Sequence, residues 1–102
     1  MVFIVEIKLP EEIDEKFMRK IPSHRAFINL LINQGKIQSY TINESRTKGW
    51  IIFNTDNKAE TARLMEQLPI YEFITFRISG TLIHDSEIFR FPKIIRLYSH
   101  KE

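Results

Sequence analysis

Cysteine is absent from the 102 residues, which excludes disulfides, thiolate-held zinc and thiol nucleophiles and suits a reducing compartment. Glycine is scarce. The three present form neither GxGxxG nor a phosphate-binding loop, so the usual backbone cradles for nucleotides are missing. Histidine is equally sparse: His24, His84 and His100 show no HxxxH or HxE spacing, and neither a metal nor a cofactor is expected. An excess of one charge is lacking too, since fifteen Lys and Arg against thirteen Asp and Glu leave a formal +2, too little to imply a polyanionic partner. The one basic cluster, Arg90, Lys93, Arg96 and Lys101 with His100 nearby, reads as solvated surface. No run approaches the roughly 20 apolar residues of a membrane span. Residues 1–9 are interrupted by Glu6 and Lys8 and lack the basic flank of a signal peptide. The expectation is a cytoplasmic protein with no membrane contact.

What is present is a core. Hydrophobic residues make up 43% of the chain, with eight Phe and one Trp, which suits one folded domain. Residues 2–9 alternate, with Phe3, Val5, Ile7 and Leu9 on one side and Val2, Ile4, Glu6 and Lys8 on the other, which predicts a first strand. Pro10 ends it. Glu11, Glu12 and Asp14 then place negative charge at a helix start. That helix is expected over residues 11–34 in two pieces, because Pro22 disfavours helical geometry at Ile21, and Gly35 supplies the stop.

Residues 37–42 and 49–54 predict two further strands joined by a hairpin. Asp56 or Asn57 can cap a helix over residues 58–68, closed by Pro69. Residues 73–83 alternate again as a fourth strand, with Ile74, Phe76, Ile78 and Leu82 on one side and Thr75, Arg77, Ser79 and Thr81 on the other. The order βαββαβ predicts an α+β, ferredoxin-like domain over residues 1–85, with two helices on one face of a four-stranded antiparallel sheet. Val2 and Ile4 then lie on the uncovered face, and the third strand is apolar on both sides, so something must cover that face. Residues 86–102 carry Phe89, Phe91, Ile94, Ile95 and Leu97 and read as an arm packed on its own sheet or a partner's. A homodimer pairing sheet to sheet would bury both surfaces.

Gln67, Leu68, Pro69, Ile70 and Tyr71, followed by Phe73 and an alternating strand ending at His84, resemble the corresponding stretch of muconolactone isomerases. Taken with the first strand and Gln34, Gly35 and Lys36, the likeness covers residues 1–85. Pro22, Ser23 and His24, followed by Leu30, Leu31 and Gly35, are similar to the first-helix signature of YciI-like proteins. Both groups belong to the dimeric α+β barrel superfamily. The resemblance implies two sheets packed face to face and a proton-transfer isomerase or lyase acting on a small carboxylate or lactone.

Independently of that likeness, the spacing Phe17, Ile21, His24, Phe27 or Ile28, Leu31 puts His24 on a sheet-facing stripe near the start of the second helical piece. Burial and the positive helix end both favour a neutral imidazole, suitable as a general base. A core histidine bonded to backbone or hydroxyl groups is the alternative. The uncovered sheet face offers substrate-binding candidates: Arg77, which could pair with a carboxylate, with Ser79, Thr75 and Trp50, and with Ser39 and Thr41 if the second strand alternates. A salt bridge suffices to explain Arg77, and a core or interface position Trp50. His84 and Asp85, neighbours on a strand, point to opposite faces.

Three functional classes follow. A small-molecule enzyme ranks first, and a non-catalytic ligand-binding or structural dimer second. RNA binding ranks last, because residues 48–53 and 2–4 only faintly echo the RNA-recognition-motif signatures: Ile52 replaces an aromatic, and the faces are apolar rather than basic.

Overall fold

Alternation in the strands sets the layout of the molecule. The computed structural model describes residues 1–85, in the order β1 (Val2–Lys8), α1 (Glu15–Asn33), β2 (Ile37–Ile42), β3 (Lys48–Asn54), α2 (Lys58–Glu66), a 3-10 turn (Tyr71–Phe73) and β4 (Thr75–Gly80). The expected C-terminal arm lies outside the described residues. All pairings are antiparallel and the strand order is β2-β3-β1-β4, the ferredoxin-like arrangement predicted from the sequence.

Register fixes which side chains share a face. Phe3, Val5 and Ile7 of β1 lie opposite Phe53, Ile51 and Gly49 of β3 and opposite Gly80, Ile78 and Phe76 of β4. These strands join Phe17, Ile28 and Leu31 of α1 and Met65 of α2 in one core. Glu6 pairs with Trp50 on one side and Arg77 on the other, so these three belong to the uncovered face with Ile4, Ile52, Thr75 and Ser79. On that face Val2, Ile4, Trp50 and Ile52 are only half-buried.

Several boundaries differ from expectation, each for a local reason. α1 begins at Glu15 because the Asp14 carboxylate accepts from the Phe17 N–H at 2.9 Å, leaving Glu11 and Glu12 outside the helix. It is also continuous. Pro22 lies inside it on the exposed side, where water can serve the Met18 carbonyl that loses its donor. Gly35 ends the helix as predicted: at φ +77°, it donates to the Ile32 carbonyl at 3.0 Å while Lys36 donates to Leu31 at 2.9 Å, a Schellman pair. Asn57, not Asp56, caps α2, accepting from the Glu60 N–H at 2.8 Å. β4 is shorter than predicted, since Leu82 falls beyond Gly80 and is 96% exposed.

Candidate functional site

Beneath the first half of α1 the core stops short of the sheet. The space left is a cavity of about 350 Å³, lined by Leu9, Ile13, Phe17, Met18, Ile21, Tyr40, Ile42, Arg46 and Ile70. Its volume is within the range of small-molecule sites, as is its composition: apolar walls with a few polar groups. The polar residues are Tyr40 on β2 and Arg46 on the β2–β3 hairpin.

Tyr40 reaches this face through a shift in strand register between Ile37 and Ser39. One extra residue there lets Ile37, Tyr40 and Ile42 all lie on the helix-covered side, while Ser39 and Thr41 pair with Ile52 and Trp50 on the other. Gly49 makes room for Ile42. A Cβ at that position would meet Ile42 Cδ1 at 2.5 Å and the Thr41 carbonyl at 2.9 Å, so only glycine lets Ile42 lie across the strand.

His24 sits behind Tyr40. It is 1% exposed, its Nε2 is 2.8 Å from the Tyr40 hydroxyl, and the two rings meet edge-on with centroids 5.5 Å apart. Nδ1 is buried with no partner. Burial, reinforced by the charge of Arg25, pulls the imidazole down from 6.5 to about 4. Burial also raises Tyr40, against the opposing pull of Arg25. Both groups are therefore neutral near pH 7, as the sequence predicts for His24. The helix-dipole part of that expectation does not hold, because α1 is continuous and His24 lies in its middle. With no second hydrogen bond on Nδ1 to fix the tautomer, the Nε2···O contact is available with Tyr40 as donor or as acceptor.

The other predicted residues lie elsewhere. Arg77, Thr75, Ser79 and Trp50 occupy the uncovered face, on the far side of the sheet from His24, so within one chain Arg77 does not share the histidine's cavity. The reason is the two-residue period: β4 directs Phe76 and Ile78 to the helices and its odd-numbered neighbours away from them. The Arg77 guanidinium faces Glu6 at 3.8 Å. Thr75 and Arg77 border a separate hollow of about 230 Å³ with Glu6, Lys8 and Phe76. His84 Nε2 contacts Gln38 Oε1 at 2.9 Å. No group of His, Asp and Glu among the described residues is arranged to hold a metal, and no helix there is long and apolar enough to cross a membrane.

Tyr40 and Arg46 were not singled out from the sequence. Tyr40 could have been found only by anticipating the register shift. For Arg46 the available sign was a long cation on a hairpin beside the first strand's end.

No family model matches the sequence, and no curated protein matches it. Solved structures do. A muconolactone isomerase is similar at 22% identity and a TM-score of 0.67, over 87% of this chain and 96% of that one. A 5-chloro-2-hydroxyhydroquinone dehydrochlorinase from Burkholderia phenoliruptrix, solved with 2,5-dihydroxybenzoquinone, is similar at 15% identity and a TM-score of 0.59, over 82% of this chain and 96% of that one. The chain thus has the α+β fold of the muconolactone isomerase type that its own sequence resembles.

Proposed function

We propose that the chain is a small-molecule enzyme of proton-transfer type, an isomerase or lyase on a small carboxylate or lactone, working in the cavity beneath α1. The observation that carries this reading is the His24–Tyr40 contact at the wall of a mostly apolar cavity. Tyr40 lines the space and His24 does not, so Tyr40 is the group placed to touch substrate and His24 acts through it.

The step balances as a relay. The Tyr40 oxygen takes a proton from carbon next to a carbonyl while its own proton passes to His24 Nε2, leaving an enolate on the ligand and an imidazolium behind. Reversal delivers a proton to a different carbon of the delocalised anion, restoring both groups and moving the double bond. Positioned proton transfer of this kind contributes typically about 10²- to 10⁴-fold.

The test is solvent deuterium incorporation into a panel of small lactone acids, muconolactone among them, followed by NMR. The expected result is incorporation into at least one compound, reduced by roughly a hundredfold or more in Tyr40→Phe and in His24→Gln and nearly unchanged in Arg77→Met. No incorporation into any compound, or full activity in Tyr40→Phe, would overturn the proposal. A non-catalytic ligand-binding role is the second reading, favoured by the unpartnered Nδ1, since a general base is normally oriented by a third group. Binding without incorporation would select it.

The chain also acts as a homodimer in this proposal, joined through the uncovered sheet face. The half-buried Val2, Ile4, Trp50 and Ile52 on that face support this reading.

A further inference from the structure

We infer that Arg46 makes the cavity selective for an apolar ligand carrying a single anionic group. The inference rests on the cavity being the ligand site, and it adds the chemistry of the ligand and the residue that reads it. Seven of the lining residues are aliphatic or aromatic hydrocarbons or thioether: Leu9, Ile13, Phe17, Met18, Ile21, Ile42 and Ile70. The lining contains no Asp or Glu. Arg46 is its one cation, and among the described residues no carboxylate pairs with it.

The backbone carrying this cation is held in an unusual conformation. Arg46 is the one non-glycine residue with positive φ among those described, at +62°, a left-handed conformation that favours glycine or asparagine. The surrounding turn holds it there. Asn43 Oδ1 accepts from the Thr47 and Lys48 N–H groups at 2.9 and 3.0 Å, the Asn43 carbonyl accepts from the Arg46 N–H at 3.1 Å, and Leu9 donates to the Thr47 carbonyl at 2.9 Å, tying the turn to the end of β1. Arg46 therefore lines the cavity from a braced turn.

Chemistry does the rest. A guanidinium beside apolar walls pairs strongly and bidentately with a carboxylate. A second anionic group at the far end of the same ligand would lie against Leu, Ile and Phe with no counter-charge, which is unfavourable. A neutral ligand would leave Arg46 unused. The cavity thus ranks monoanion above both neutral and dianionic relatives of similar shape.

Three probes of matched shape test this on the full chain by NMR titration: cinnamate, cinnamyl alcohol and 4-carboxycinnamate. Cinnamate is expected to bind about tenfold or more tightly than either of the others. Arg46→Met should abolish its advantage over the alcohol while leaving the alcohol's affinity within about twofold, and Arg46→Lys should restore part of it. Equal binding of cinnamate and the alcohol, a preference that survives Arg46→Met, or tighter binding of the dicarboxylate would overturn the assignment, while alcohol binding in the cavity would leave the site itself standing. Failure of all three probes to shift the Phe17, Ile21 and Tyr40 signals would overturn both.

Discussion

His24 is the one ionisable side chain buried in the core among the described residues. Its stability linkage has a definite sign. The folded imidazole sits near 4 and the unfolded one near 6.5, so the unfolded chain binds the extra proton first as the pH falls. The contribution of a neutral, buried His24 is complete above 6.5 and is lost progressively down to about 4, roughly 2–3 kcal/mol in all. Urea denaturation from pH 7 to pH 4 should show wild type losing that much more stability than His24→Gln, and parallel pH profiles for the two would refute the assignment. The stripe Phe17, His24, Leu31 was legible from spacing alone, since a helix buries every third or fourth residue. The partner was not legible. Tyr40 alternates with Ser39 and Thr41 in a way that puts it on either face, and only the register shift beside Ile37 decides.

Among the elements, those with strong local signals formed where the sequence places them, and the discrepancies trace to competing local bonds. β2 matches its predicted bounds and β3 starts one residue early. α1 runs unbroken through Pro22, because the proline stands on the exposed side and the packing of Phe17, His24, Ile28 and Leu31 spans both halves. The sequence pattern makes Asp14 a first-turn charge, yet its side chain caps the Phe17 N–H and so defines the boundary. Phe73, expected as the first residue of the fourth strand, instead closes a 3-10 turn, in which its N–H bonds the Ile70 carbonyl at 2.9 Å. These capping and turn bonds depend on geometry that hydrophobic spacing does not encode. The cavity beneath α1 is a consequence at this scale. Helix entry at Asp14, the Ile42 crossing allowed by Gly49, and the braced hairpin together leave room between α1 and β2.

Across the whole molecule the sheet separates two surfaces that the sequence could not assign to one site. The covered face holds His24, Tyr40 and the cavity, while the uncovered face holds Arg77, Trp50 and the apolar strip Val2, Ile4 and Ile52. Glu6 and Arg77 already face each other there, which suits an interface better than a free anion receptor. A second copy packed on this strip should give a light-scattering mass of twice the chain's 12.2 kDa, and Ile52→Lys should shift it to a monomer by placing an unpaired charge in the interface. A wild-type monomer at high micromolar concentration would contradict sheet-to-sheet pairing. The division of labour between the faces is the central claim, and methyl and aromatic NMR mapping of a bound lactone acid tests it most directly. Shifts should gather at Ile13, Phe17, Ile21, Tyr40 and Ile42, beneath α1. Shifts confined to Ile4, Trp50, Ile52 and their neighbours would place the ligand on the opposite face and contradict the account.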